Sequence, residues 1–138
     1  MKKRSLLYII LAMLIVLPRI GAAQQPKLPK IPPDLWQKAQ EKGVVRVIID
    51  LDLPVQSESK LTEEGRNNQR HAIHTAQEQL LMELSSTKHE ETGRLAIVPV
   101  IGLKVGLDAL AILETSTLVK KVTEDKLLKS DLEIREQK

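Results

Sequence analysis

Residues 94–125 read RLAIVPVIGLKVGLDALAILETSTLVKKVTED, and this stretch decides the fold. Residues 95–98 are a short apolar run that reads as a strand, interrupted by Pro99. Proline brings no N–H to a ladder, so a hairpin bend or an edge position is expected there. Residues 101–105 resume with Ile101, Leu103 and Val105 on one face, the period of a half-buried strand. Residues 107–114 change to helical spacing, with Leu107, Leu110 and Ala111 on one side. A helix that short holds only when packed. Residues 118–124 read as a closing strand.

Upstream, residues 85–92 are polar and read as a loop, with Gly93 as a turn. Thr62 opens a helical segment that reaches about residue 84. Ile73, Ala76, Leu80, Leu81 and Leu84 form its apolar stripe, opposite Glu, Gln, Arg and His. Residues 55–61 are loop-like. Residues 44–53 (VVRVIIDLDL) alternate: Val45, Val47, Ile49, Leu51 and Leu53 share one face, Arg46, Asp50 and Asp52 the other, with Ile48 the exception. Pro54 ends that strand. The order is therefore β-α-β-β-α-β. It predicts an α+β, ferredoxin-like fold: a four-stranded antiparallel sheet with two helices on one face and right-handed crossovers. Residues 35–42 add a short N-terminal helix, with Asp34 as N-cap and Gly43 in the left-handed position that closes it. Trp36 and Ala39 are expected to dock on the domain.

The ends read differently. Residues 1–23 carry Lys2, Lys3 and Arg4, a 12-residue apolar run over 6–17, then Pro18 and Gly21-Ala22-Ala23. That is the pattern of a secretion signal, with cleavage expected after Ala23 and export to the periplasm or beyond. The run is short of the roughly 20 residues a spanning helix needs, so a membrane is involved only if the signal stays uncleaved. Residues 24–33 hold four of the seven prolines and read as a stiff linker rather than part of a core. The domain is placed at 34–125 and a charged tail at 126–138. The chain is +3 overall, but residues 1–23 hold four basic residues and no acid. The 17 basic and 18 acidic residues that remain give −1. With Trp36 the only aromatic left, nothing calls for nucleic acid. There is no cysteine to supply a disulfide.

Catalytic chemistry is not written here. His71 and His74 stand three apart on a helix with His89 after it, but no third ligand is placed and Arg70 is adjacent. They read as solvated helix-face residues. Asp50 and Asp52 read as the polar face of a strand rather than an acid–base pair. Gly102 and Gly106 make no phosphate loop. No nucleophile has a base partner, so no enzyme and no cofactor is expected.

Two stretches, residues 34–54 (DLWQKAQEKGVVRVIIDLDLP) and residues 94–125, joined by the helix with Gln77, Leu80 and Leu81, resemble the propeptide of subtilisin-like serine proteases and the inhibitors of that family. The matching features are the opening valine-rich strand, the Ile97-Val98-Pro99 run, the alternating residues 101–105, the helix with Ala109, Leu110 and Leu113, and Val119, Val122, Glu124 and Asp125. The resemblance covers about residues 34–126. It implies a protein inhibitor or folding helper whose open sheet face packs on two parallel protease helices. Glu124 and Asp125 would lie over those helix N-termini, where a carboxylate is favoured. The following segment, Lys126, Leu127 and Leu128 to Leu132, would enter the substrate cleft as an extended strand. In that family a protease follows the propeptide, whereas this sequence ends a dozen residues on. A free-standing inhibitor, a separately encoded folding helper and an inactive relic all stay open. The rival reading is a non-catalytic periplasmic protein-binding module on the same fold.

Overall fold

The computed structural model describes residues 28–126. Val45, Val47, Ile49 and Leu51 are buried and their neighbours are not, which makes β1 (Val45–Leu51) a strand with one face in the core. Thr62 caps α2 (Glu63–Glu83), its Oγ1 accepting the Gly65 N–H at 3.1 Å. Then come β2 (His89–Arg94), β3 (Val100–Val105), α3 (Leu107–Thr115) and β4 (Val119–Glu124). A helix α1 (Pro33–Lys42) precedes β1, and a 3-10 turn (Glu58–Lys60) lies in the loop before α2. The strand order β2-β3-β1-β4, with every neighbour antiparallel, is the expected ferredoxin-like arrangement. Ala76 and Leu80 of α2, Leu84 at its C-cap, and Ala109, Leu110 and Leu113 of α3 meet Val47, Ile49, Ile101, Leu103 and Val122 in one core.

Replacing Thr62 by alanine frees an orphan helix donor and is expected to cost about 1 kcal/mol. Urea denaturation with an unchanged slope checks it; a loss under a few tenths would show that water replaces the cap.

Besides the packed face of α3, where Ala109, Leu110 and Leu113 are buried and the expected Leu107 and Ala111 are exposed, four expectations need correction. The strand placed at 95–98 is a bend, and β2 lies upstream, over the stretch read as a polar loop ending in a Gly93 turn. β2 is an edge strand with little buried surface, so its polar residues carry no period; Pro99 keeps the apolar run out of the ladder. Leu95 and Ile97 stay half exposed, at 53% and 51%. Second, β1 stops at Leu51. The register with β4 shifts between Asp50 and Leu51, and Asp52 and Leu53 have left the strand. Third, Pro32, not Asp34, is the N-cap of α1. Pro33 fits the first helical position because it has no N–H to satisfy. Gly43 closes the helix at φ 76°, as expected. Leu35 and Ala39 make the buried face, with Trp36 packed at its margin.

The fourth concerns the proline-rich segment, whose described end is part of the core. Ile31 is 1% exposed. Its N–H and that of Lys30 donate to the two carboxylate oxygens of Glu114, at 3.1 and 3.2 Å. The Lys30 carbonyl accepts the Val122 N–H at 2.9 Å, and Lys30 Nζ donates to the Ser116 carbonyl. Residues 30–42 thus form a strap along β4 and over the end of α3. No helix among the described residues is long and apolar enough to cross a membrane. The signal reading falls on residues outside those described.

Candidate interaction face

The helices pack on one side of the sheet, and no described element covers the other. Strand register arranges that outer face in three rows. At one end Arg46 pairs across with Lys104, and Lys104 with Glu90. In the middle lie Thr123, Ile48, Gly102 and Gly93. At the other end Lys121, Asp50 and Val100 align. The ends are charged and the middle is small and neutral. A shallow concavity of about 320 Å³ runs along this face, bordered by Arg46, Ile48, Thr92, Val100, Gly102 and Asp125.

Gly102 gives the face its depth. A bulge between Glu91 and Gly93 leaves Thr92 unpaired and turns its side chain over β3. A Cβ at Gly102 would stand 2.7 Å from Thr92 Oγ1, so a side chain there would have to displace the Thr92 hydroxyl. The charged end largely neutralises itself: Lys104 Nζ lies 3.8 Å from Glu90, and Arg46 Nη2 3.3 Å from Asp125 Oδ2.

The two acidic residues singled out at the strand end come together in sequence but part in space. Asp125 borders the outer face. Its N–H donates to the Arg46 carbonyl at 3.0 Å, extending the β4–β1 ladder by one residue. Glu124 shares the phase of buried Val122 and turns toward α1. Lys38 Nζ donates to Glu124 Oε2 at 2.6 Å, while Asp34 of the same helix is 3.6 Å away. The Glu124 carboxylate, then Asp34, holds the Lys38 ammonium above its ordinary pKa. Lys126 is the last described residue; Leu127, Leu128 and Leu132 lie outside the described residues.

Sequence reading did not single out Lys38, Thr92 or Arg46. Arg46 was legible as a polar position on β1. The Lys38–Glu124 contact spans 86 residues and leaves no local signal.

Other charges are spent on the fold. Arg94 takes Glu91 bidentately, at 2.7 and 2.6 Å, and also reaches Glu78 of α2. That pairing holds the Glu91 carboxyl below its usual range. Asp108 accepts the Lys88 N–H at 2.8 Å, which lowers its carboxyl in turn. His74 stands 3.9 Å from Glu78, and no group of three His, Cys, Asp or Glu suited to a metal occurs among the described residues. Asp50 lies on the outer face opposite Lys121, and Asp52 lies beyond the strand.

The fold is that of an α+β protein of ferredoxin-like topology, with one sheet face left open. No family model, curated protein or solved structure matches the chain.

Proposed function

We propose that this chain is a protein inhibitor, or an intermolecular folding helper, of an exported subtilisin-like serine protease. The observation that carries the reading is the open face. It has a small, neutral middle between charged ends, and β4 delivers Asp125 to its border, from which the chain continues toward the tail. Ile48, Val100 and the floor at Gly102 suit the apolar side of a partner's helices, while the charged ends form a polar rim. On this reading Asp125, the acidic residue at the border of the face, meets a partner's helix N-terminus, where a carboxylate is favoured. Both sheet edges are guarded: β2 by its charges and bulge, β4 by the strap. A partner is therefore met by the face rather than by strand addition at an edge, and only the tail would pair as a strand in the cleft.

The test is titration of the protein lacking residues 1–23 against a panel of subtilisin-like proteases. Competitive inhibition is expected, weakened at least about tenfold by truncation after Asp125, since the segment that occludes the cleft is then gone. Failure to inhibit any of them, together with failure to speed the refolding of any, would remove the reading. Inhibition that survives the truncation would leave the face as the binding element and refute the tail's role.

A further inference from the structure

The end of β4 is held from both sides. Glu124 is drawn toward the helix side by Lys38 of α1, at 2.6 Å. Asp125 is drawn to the outer face by Arg46 of β1, through the guanidinium at 3.3 and 3.4 Å and the backbone at 3.0 Å. The two carboxylates are only partly exposed, at 21% and 13% of their side-chain surface. Consecutive strand residues point to opposite faces, so the two carboxylates are tied on opposite sides of the sheet. A terminal strand residue with one free flank ordinarily frays.

We propose that Lys38 and Arg46 are positioning residues: together they clamp residues 124–126, the end of β4 from which the chain continues. The inference rests on the inhibitor reading for its use and on the ion pairs alone for its existence. A segment whose root is held in place loses less conformational freedom on entering a cleft, and affinity gains by that difference. Neither residue needs to touch the partner's catalytic groups. α1, which the βαββαβ core does not require, thereby acquires a role at the far end of the sequence.

Two measurements test this. In the free protein, Lys38→Met with Arg46→Met is expected to lower the backbone NMR order parameters of residues 124–126 while those of β1 and β3 stay put. Unchanged order at 124–126 overturns the clamp, whatever the partner is. Against an inhibited subtilisin, each single variant is expected to weaken inhibition about two- to fivefold, the range of an exposed ion pair. Lys38→Arg should restore it, and the loss should vanish in protein truncated after Lys126. Equal losses in full-length and truncated protein would show that the pairs do not act through the tail, and would overturn the positioning role. If the unaltered protein inhibits no subtilisin, the inhibitor reading fails and this use of the clamp fails with it. The order parameters separate that failure from failure of the clamp itself. Leu35 and Ala39 still anchor α1 in these variants, and unchanged thermal unfolding verifies it.

Discussion

Gln77→Ala is expected to destabilise the fold by about 2–4 kcal/mol, more than most substitutions of a polar residue. Gln77 is 1% exposed, on the buried stripe of α2. Its side-chain Nε2 donates to the carbonyls of Leu95 and Val100, both at 2.9 Å. Those two carbonyls close the bend between β2 and β3, where Pro99 can donate nothing. The helix thus supplies the hydrogens that the hairpin lacks. Alanine removes both and leaves a void beside Leu80 and Ile73. Gln77→Leu fills the void but still takes the amide from the Leu95 carbonyl and leaves the Val100 carbonyl only the longer Leu95 N–H contact at 3.4 Å, so it should recover only part of the loss. Urea midpoints with a constant slope give the values. A loss under 1 kcal/mol for alanine would mean that water enters the bend and satisfies it.

Gln77→Glu makes the same point through pH. A neutral carboxyl can still donate one hydrogen to this pair of acceptors, whereas a carboxylate there would face two carbonyl oxygens. The introduced group's pKa is therefore raised in the fold above its unfolded value of about 4.3. Its contribution is fully present below that unfolded value and is lost as pH rises through the folded one. The variant should be more stable at pH 4 than at pH 7, measured against Gln77 itself.

Gln77 also marks where sequence reading stops. Its neighbours Ile73, Ala76, Leu80 and Leu84 follow helical spacing, and their burial was legible. Gln77 sits among them in phase, but glutamine is common on solvated faces, and only the two carbonyls above it make it a core residue. β1 was legible because its alternation reports a buried face directly. β3 and β4 were legible within a residue or so for the same reason. The extent of α3 was legible but its buried face was not: Ala109, Leu110 and Leu113 meet the core, while Leu107 and Ala111, expected there, are exposed. β2 was not: as an edge strand it buries little, and its polar composition is that of a loop. The apolar 95–98 run imitated a strand, whereas its backbone is a bend tied down by Gln77. At the face, Glu124 and Asp125 could be named from the strand's end. Their division between Lys38 and Arg46 could not, because each partner lies some eighty residues away.

Ile31→Ala is expected to cost about 2–4 kcal/mol, a core penalty in a segment whose composition reads as a linker. Ile31 is in place because Glu114 accepts its N–H and that of Lys30, and because Lys30 accepts from Val122. Glu114→Ala removes both acceptor oxygens and should cost about 1–2 kcal/mol. The two losses should not add. Once Glu114 is gone the strap is already loosened, so truncating Ile31 in that background removes less. A double-mutant cycle in urea reads the coupling; additivity within about 0.3 kcal/mol would show that the strap is not one unit. The strap has a second consequence. Val122 N–H is a donor on the outer edge of β4, and an exposed edge donor is a template for another chain. Lys30 occupies it, as the charged residues and bulge of β2 protect the opposite edge. Loosening the strap should therefore raise self-association as well as lower stability, seen as concentration-dependent sedimentation of the Glu114→Ala protein under conditions where it stays folded. The proline-rich segment is thus bound at its described end by what β4 needs: an acceptor for Val122, a cover for its edge and, through α1, a cation for Glu124.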